Sequence, residues 1–204
     1  QLLSTASVLA MLNVRYVVSN GPLDLHVPPI STDGGYVYAL PGALPRVWSV
    51  DHVEILRGKD AMMSRLRSAD FFPEVAALLY EGDPMPTERS FARARVQSVE
   101  QDPARLRVRT DADGPALLMI SEIWYPPGRR ASLDGQPLPL FRANHVLCAA
   151  RIPAGEHEIV ITTEDEARMR GTQVSRIAGG VGLLALVLGG LLERRRIASR
   201  SSVA

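Results

Sequence analysis

The stretch RASLDGQPLPLFRANHVLCAARIPAGEHEIVI, residues 130–161, decides the fold of this chain. Asp134-Gly135 is a typical dipeptide of two-residue hairpin turns, because both positions of such a turn need a positive φ. Pro153-Ala154-Gly155 indicates a second reversal. The segment HVLCAAR at 145–151, with an apolar run at 146–150, lies between these breaks and has the length of a strand. The stretch therefore predicts consecutive antiparallel strands.

The sequence before this stretch repeats with a period of two. In RLRVRT, residues 105–110, every second residue is arginine, while Leu106 and Val108 point to the opposite face. This pattern is typical of an antiparallel sheet with one solvated face. Together with ALLMIS at 116–121, it gives about seven strands in about 75 residues, which predicts an antiparallel β-sandwich of the jelly-roll or Ig-like kind.

The whole chain predicts an α+β class that is mainly β. Residues 1–82 form a small mixed α/β part, residues 88–165 form the sandwich, and the Pro- and acid-rich stretch at 81–88 is the linker. In the first part we expect helices at 2–12 and 60–69 and strands at 14–19, 36–40 and 45–50. The second helix is expected to bury Met62, Met63 and Leu66.

Composition excludes several classes of function. The net charge of +1 gives no global field that attracts nucleic acid. With one cysteine, Cys148, the chain cannot form an intramolecular disulfide. Cys148 stands in an apolar run, where a buried free thiol is the usual outcome. No phosphate-binding loop or serine nucleophile elbow is present, and we expect no cofactor.

A run without charge, IAGGVGLLALVLGGLL at 177–192, predicts a membrane span over 174–192. At 1.5 Å per residue the uncharged run is about 24 Å long, and one added turn brings it close to the bilayer core. A buried helix of a soluble protein is the alternative. The arginines of the tail at 193–204 predict that the tail is cytoplasmic and that residues 1–173 are outside the cell.

Small residues recur along one face of this segment. They are spaced by four, three and four positions, which places them on one helical stripe where another helix can approach closely. We expect the partner to be another span of the same parent chain or a second copy. The chain starts without methionine, so we also expect it to be a fragment of a longer protein. The helix-packing residues are Ala178, Gly182, Ala185 and Gly189.

Three segments resemble one family. LNVRYVVS at 12–19, LPRVW at 44–48 and the run from Ser121 to Ile161, in this order and followed by a terminal span, are similar to the C-terminal part of YfhO-type bacterial membrane proteins. These are multi-span proteins that resemble GT-C glycosyltransferases. One departure is YPPGRR, where Pro127 precedes Gly128 and Arg129 replaces an aromatic residue that is frequent in the family.

The resemblance implies an extracytoplasmic C-terminal domain and last span of an enzyme in the bacterial cytoplasmic membrane. Such an enzyme transfers a sugar from a polyprenyl-phosphate donor to an envelope glycan or glycolipid. Its catalytic acid lies in an early outside loop that this chain does not contain, so we expect no catalytic residue here. The alternative is a non-enzymatic, membrane-anchored module that binds envelope glycan or a partner protein. Membrane lipid is an expected partner in both cases.

Two groups of side chains are candidate binding residues. Glu122 beside Trp124 and Tyr125 could hold a sugar ring by hydrogen bonds and stacking, although core packing is the common role of such a tryptophan. The arginine stripe could contact an anionic polymer or lipid headgroups, although a solvated sheet face has the same pattern. The stripe residues are Arg105, Arg107 and Arg109.

We expect other polar residues to have structural roles. Asp134 stands at a turn position that favours aspartate, and Glu156 follows a turn glycine. The histidines do not share metal-ligand spacing and there is no cysteine pair, so we expect no zinc site. The four histidines are His26, His52, His145 and His157.

Overall fold

The computed structural model describes residues 6–25, 27–163, 175–176 and 178–180. The chain divides into two compact units, residues 1–163 and residues 164–204. The predicted span at 174–192 lies mostly outside the described residues, and the tail at 193–204 lies wholly outside them. Within the described part, no helix has the length and apolar character needed to cross a membrane.

The first unit is mainly β and its large sheets are antiparallel, as the sequence predicts. Its helices are α1 (Ala6–Met11) and α2 (Gly58–Leu66). The strands before the predicted sandwich are β1 (Tyr16–Ser19), β2 (Tyr36–Ala39), β3 (Val47–Val50), β4 (His52–Leu56) and β5 (Ala76–Tyr80). The strands that follow are β6 (Ala94–Gln101), β7 (Arg105–Ala112), β8 (Ala116–Ile123), β9 (Arg129–Leu133), β10 (Gln136–Pro137), β11 (Leu140–Ala143), β12 (Leu147–Ile152) and β13 (Gly155–Thr163).

Two sheets pack against each other across one hydrophobic cluster. The five-stranded sheet has the order β10-β9-β13-β7-β6, and the four-stranded sheet has the order β11-β12-β8-β3. Val108 and Ile159 of the first sheet share the cluster with Ile120 and Cys148 of the second. On β7 the buried Leu106 and Val108 alternate with arginine, which confirms the period-two prediction.

The four-stranded sheet is buried on both of its faces. Its second face carries Trp48 and Met119, which belong to another cluster that includes Met62 of α2 and Leu78 of β5. Every residue of β3 is buried as a consequence. This double burial explains why the strands of this sheet are mostly apolar, instead of alternating between apolar and polar residues.

Several boundaries differ from the sequence predictions. β4 and β5 form a parallel pair that the sequence analysis missed, and α2 is the connection between them. β3 lies within the expected first part, at residues 1–82, yet it pairs with β8 of the expected sandwich. Residues 1–163 therefore form one unit in which a strand crosses the expected boundary, because burial of β3 completes the four-stranded sheet.

The Asp134-Gly135 hairpin is confirmed. Asp134 has φ 50° and Gly135 has φ 82°, and Leu133 on β9 faces Gln136 on β10 directly across the turn. Two positive φ angles in succession define the turn that matches the twist of the flanking strands.

Candidate functional site

A groove of about 400 Å³ opens beside β9, where the chain passes from the five-stranded to the four-stranded sheet. β10 is only two residues long, and the N–H of Leu138 still pairs with the carbonyl of Ala131 before the chain turns into β11. The groove lies beside this short edge. The groove is lined by Arg129, Arg130, Ser132, Gly135, Leu138 and Leu140, among others.

Arg129 is held at the groove by an ion pair with Glu122. The Glu122 carboxylate accepts a hydrogen bond from Arg46 at one oxygen and from Arg129 at the other. Side-chain exposure is 15% for Glu122 and 12% for Arg129, so both groups are largely desolvated. Since Glu122 belongs to β8 and Arg129 begins β9, this contact also connects the two sheets.

The three predicted sugar-contacting residues are placed in different surroundings. Both carboxylate oxygens of Glu122 are engaged by arginines. Trp124 is half-buried and packs against the cluster between the sheets. Tyr125 is 57% exposed. None of the three is among the residues that line the groove.

The predicted arginine stripe forms a mixed-charge face. Arg107 and Arg109 lie 3.7 Å and 3.4 Å from the carboxylate of Glu158 on β13, and Glu100 on β6 lies 3.9 Å from Arg107. Arg105 is exposed at the start of the same strand. Carboxylates therefore neutralise part of the positive charge of this face.

A second polar cluster was not predicted from the sequence. The hydroxyl of Tyr80 lies 2.6 Å from Nδ1 of His145, and the Arg142 guanidinium lies 4.4 Å from the centroid of the Tyr80 ring. Arg142 also donates to Asp83 at 2.8 Å. The predicted strand at 145–151 begins only at Leu147, because His145 belongs to a turn with φ 72°. The adjacent asparagine, a frequent turn residue, was the available signal.

A third polar cluster joins the Asp134-Gly135 turn to the turn at 153–155. Nδ1 of His157 lies 2.7 Å from Oδ2 of Asp134, and Nε2 lies 3.1 Å from the carbonyl oxygen of Ala154. The N–H of Glu158 donates to Oδ1 of Asp134 at 2.8 Å. This backbone hydrogen bond, followed by the contact with His157, lowers the pKa of Asp134. The hydrogen bond to Asp134 raises the pKa of His157 above 6.5.

Among the described residues, no group of three or more His, Cys, Asp or Glu side chains is arranged to hold a metal ion. Cys148 is buried, as predicted, and burial raises the pKa of its thiol to about 12. A protonated, inaccessible thiol is a poor nucleophile.

Comparison with known protein families, with curated proteins and with solved structures found no match to this chain.

Proposed function

We propose that this chain is a non-catalytic binding module of the bacterial envelope that holds a glycan bearing phosphate or carboxylate groups. The groove beside β9 carries the proposal, because it combines Arg129 and Arg130 with the apolar side chains of Leu138 and Leu140. Guanidinium groups bind phosphate and carboxylate oxygens through paired hydrogen bonds. Apolar walls with a few oriented polar groups are typical of ligand sites.

Glu122 supports this site by positioning Arg129. Its carboxylate pairs with both Arg46 and Arg129. It therefore holds the Arg129 guanidinium at the groove, and its single negative charge does not neutralise both arginines. A largely buried carboxylate with both oxygens engaged has little capacity left for a sugar hydroxyl. We assign Glu122 this positioning role in place of a direct glycan contact.

The setting of the module is part of the same proposal. On the YfhO-type resemblance, we place residues 1–173 outside the bacterial cytoplasmic membrane, as the accessory domain of a parent that resembles a GT-C glycosyltransferase. In this setting the last span at 174–192 packs on other helices of the parent or on a second copy. Residues 88–165, together with β3, are the jelly-roll or Ig-like sandwich that carries the groove.

Calorimetric titration of the purified chain tests the proposal. The probes are a glycerol-phosphate polymer and polygalacturonate, with neutral dextran as the comparison. We expect one or both anionic polymers to bind and dextran not to bind. Absence of binding to both anionic polymers, or equal binding of dextran, would refute the assignment.

The Ser132→Asp variant locates the binding at the groove. Ser132 lines the groove, and an added carboxylate there opposes an anionic ligand without removing the ion pairs of Arg129. We expect a loss of affinity of about tenfold or more, which corresponds to one unfavourable charge contact. Ser98→Asp, on the outer face of β6, is the matched control and is expected to bind like the unaltered chain. Equal affinity of both variants would contradict a ligand in the groove.

A further inference from the structure

The turn at Asp134-Gly135 is held by a histidine that contacts two acceptors at once. Oδ2 of Asp134 and the carbonyl oxygen of Ala154 lie at opposite nitrogens of the His157 ring, at 2.7 Å and 3.1 Å. A carboxylate and a carbonyl are both acceptors, so both ring nitrogens must donate. Only the imidazolium form has two N–H donors. A neutral ring loses one of the two hydrogen bonds and also its charge attraction to Asp134.

The surroundings of His157 leave Asp134 as its main charged partner. The register places His157 opposite Thr110 of β7, which in turn pairs with Val96 of β6. The adjacent Glu156 and Glu158 alternate with His157 along β13, and Glu158 is directed to Arg107 and Arg109 on the outer face. The His157 side chain is 15% exposed and that of Asp134 is 51% exposed, so solvent screens part of their charge attraction.

The same turn forms part of the groove wall. Gly135 lines the groove, while the neighbouring Asp134 is the residue that His157 holds. The β9–β13 pairing ends at Ile159 and Leu133. Beyond this pair, the N–H of Asp134 donates to the carbonyl of Glu158, and the N–H of Glu158 donates to the Asp134 carboxylate. Opening of the His157 contacts removes the connection to the turn at 153–155 and leaves the groove wall held by the Asp134–Glu158 hydrogen bonds and the short β9–β10 pair.

We propose that His157 is a pH-dependent clasp: its protonated ring joins the turns at 134–135 and 153–155, and this closes the groove wall for the ligand. This regulation rests on the proposed function for its ligand, whereas the clasp itself can be measured on the free chain. The pKa of His157 is raised in the folded chain. The clasp is therefore fully formed below the unfolded pKa of about 6.5 and is lost as pH rises through the folded pKa.

Two measurements on the full chain without ligand test the clasp. NMR titration of the His157 ring should give a pKa above 6.5 that returns towards 6.5 in Asp134→Asn. This variant keeps a favourable turn, because Asn-Gly suits two positive φ angles. Amide hydrogen exchange at Asp134 and Glu158, whose N–H groups donate across this turn, should accelerate between about pH 5.5 and about pH 8.5 after correction for intrinsic rates. The expected acceleration is about tenfold for each unit by which the clasp raises the His157 pKa.

Variants separate the clasp from general effects of pH. His157→Gln and Asp134→Asn should both abolish the extra acceleration. Asp113→Asn, in an exposed position after β7, is the matched control and should retain it. If amide exchange depended equally on pH in the unaltered chain and in all three variants, the clasp would be overturned, even if an anionic glycan still binds the groove.

Ligand titration then tests the coupling. An anionic polymer should bind the unaltered chain more tightly at about pH 5.5 than at about pH 8.5, and His157→Gln should reduce this ratio. An unchanged ratio in His157→Gln would overturn the regulation of the groove. Normal clasp behaviour in a chain that binds neither anionic polymer would instead refute the proposed function and leave the clasp standing.

Discussion

Asn144 makes hydrogen bonds that a strand would otherwise supply to β5. Its N–H donates to the carbonyl of Leu78, and its side-chain oxygen accepts from the N–H of Leu78, both at 2.8 Å. Asn144 is fully buried and has φ 46°. A buried backbone N–H costs about 1–3 kcal/mol when it loses its acceptor. One residue, through its backbone and its side chain, thus connects the turn after β11 to the parallel β4–β5 pair.

Two substitutions of Asn144 distinguish the stability contributed by its side-chain hydrogen bond from the stability that depends on its backbone conformation. Asn144→Gly removes the acceptor for Leu78 but tolerates the positive φ, so we expect about 1–3 kcal/mol less stability. Asn144→Ala should cost about 1 kcal/mol more, because a Cβ is unfavourable in the left-handed region. Urea unfolding measures both values. If both variants unfolded at the midpoint of the unaltered chain, these contacts would not contribute to stability.

The arginines on the outer face of β7 have different neighbours on β13. Arg109 lies directly opposite Glu158 on β13, whereas Arg105 lies opposite Thr162. The sequence pattern alone treats these positions as equivalent. The register makes them different, because cross-strand neighbours interact most strongly when they are directly opposed.

Charge reversal should reveal this difference. Arg109→Glu places two carboxylates side by side, and we expect a loss of about 1 kcal/mol in the free energy of unfolding at low salt, reduced at high salt. Arg105→Glu should stay within about 0.5 kcal/mol of the unaltered chain. Denaturant unfolding at two salt concentrations is the measurement. Equal losses in the two variants would show that the opposed Glu158 is not the cause.

The elements that were predictable are those whose signal is local. The Asp-Gly turn and the period-two pattern of β7 specify a hairpin and a half-exposed strand from a few residues each. β4 and β5 carry no such signal, because each is short and its parallel partner lies on the other side of the intervening α2 in the sequence. The doubly buried β3 likewise depends on its pairing with the distant β8.

The candidate site depended on contacts between distant residues. Glu122 was identified from its aromatic neighbours, but its partners Arg46 and Arg129 meet it only when β8 has β3 beside it and β9 in the opposite sheet. The groove likewise arises where β10 ends and β11 joins the other sheet. Arg129 stands in the quoted YPPGRR stretch, yet its position at the groove follows from topology.

At the scale of the whole unit, two basic surfaces are candidates for the proposed anionic-ligand site. The face of Arg105, Arg107 and Arg109 is partly neutralised by Glu100 and Glu158. In the groove, Arg129 is likewise paired with a carboxylate, that of Glu122, and the arginines lie beside the apolar side chains of Leu138 and Leu140. A groove with apolar surface beside its polar groups retains a ligand better than a charged sheet face without such surface. We therefore assign the ligand to the groove.

The most direct test is NMR mapping of a short glycerol-phosphate or galacturonate oligomer on the full chain. The amide signals of Arg129, Ser132 and Gly135 and the guanidinium signals of Arg129 should shift in a saturable manner. The amide and guanidinium signals of Arg105 and Arg109 should stay unchanged. Saturable shifts centred on the β7 arginines, or no shifts with either oligomer, would contradict the groove as the binding site of this chain.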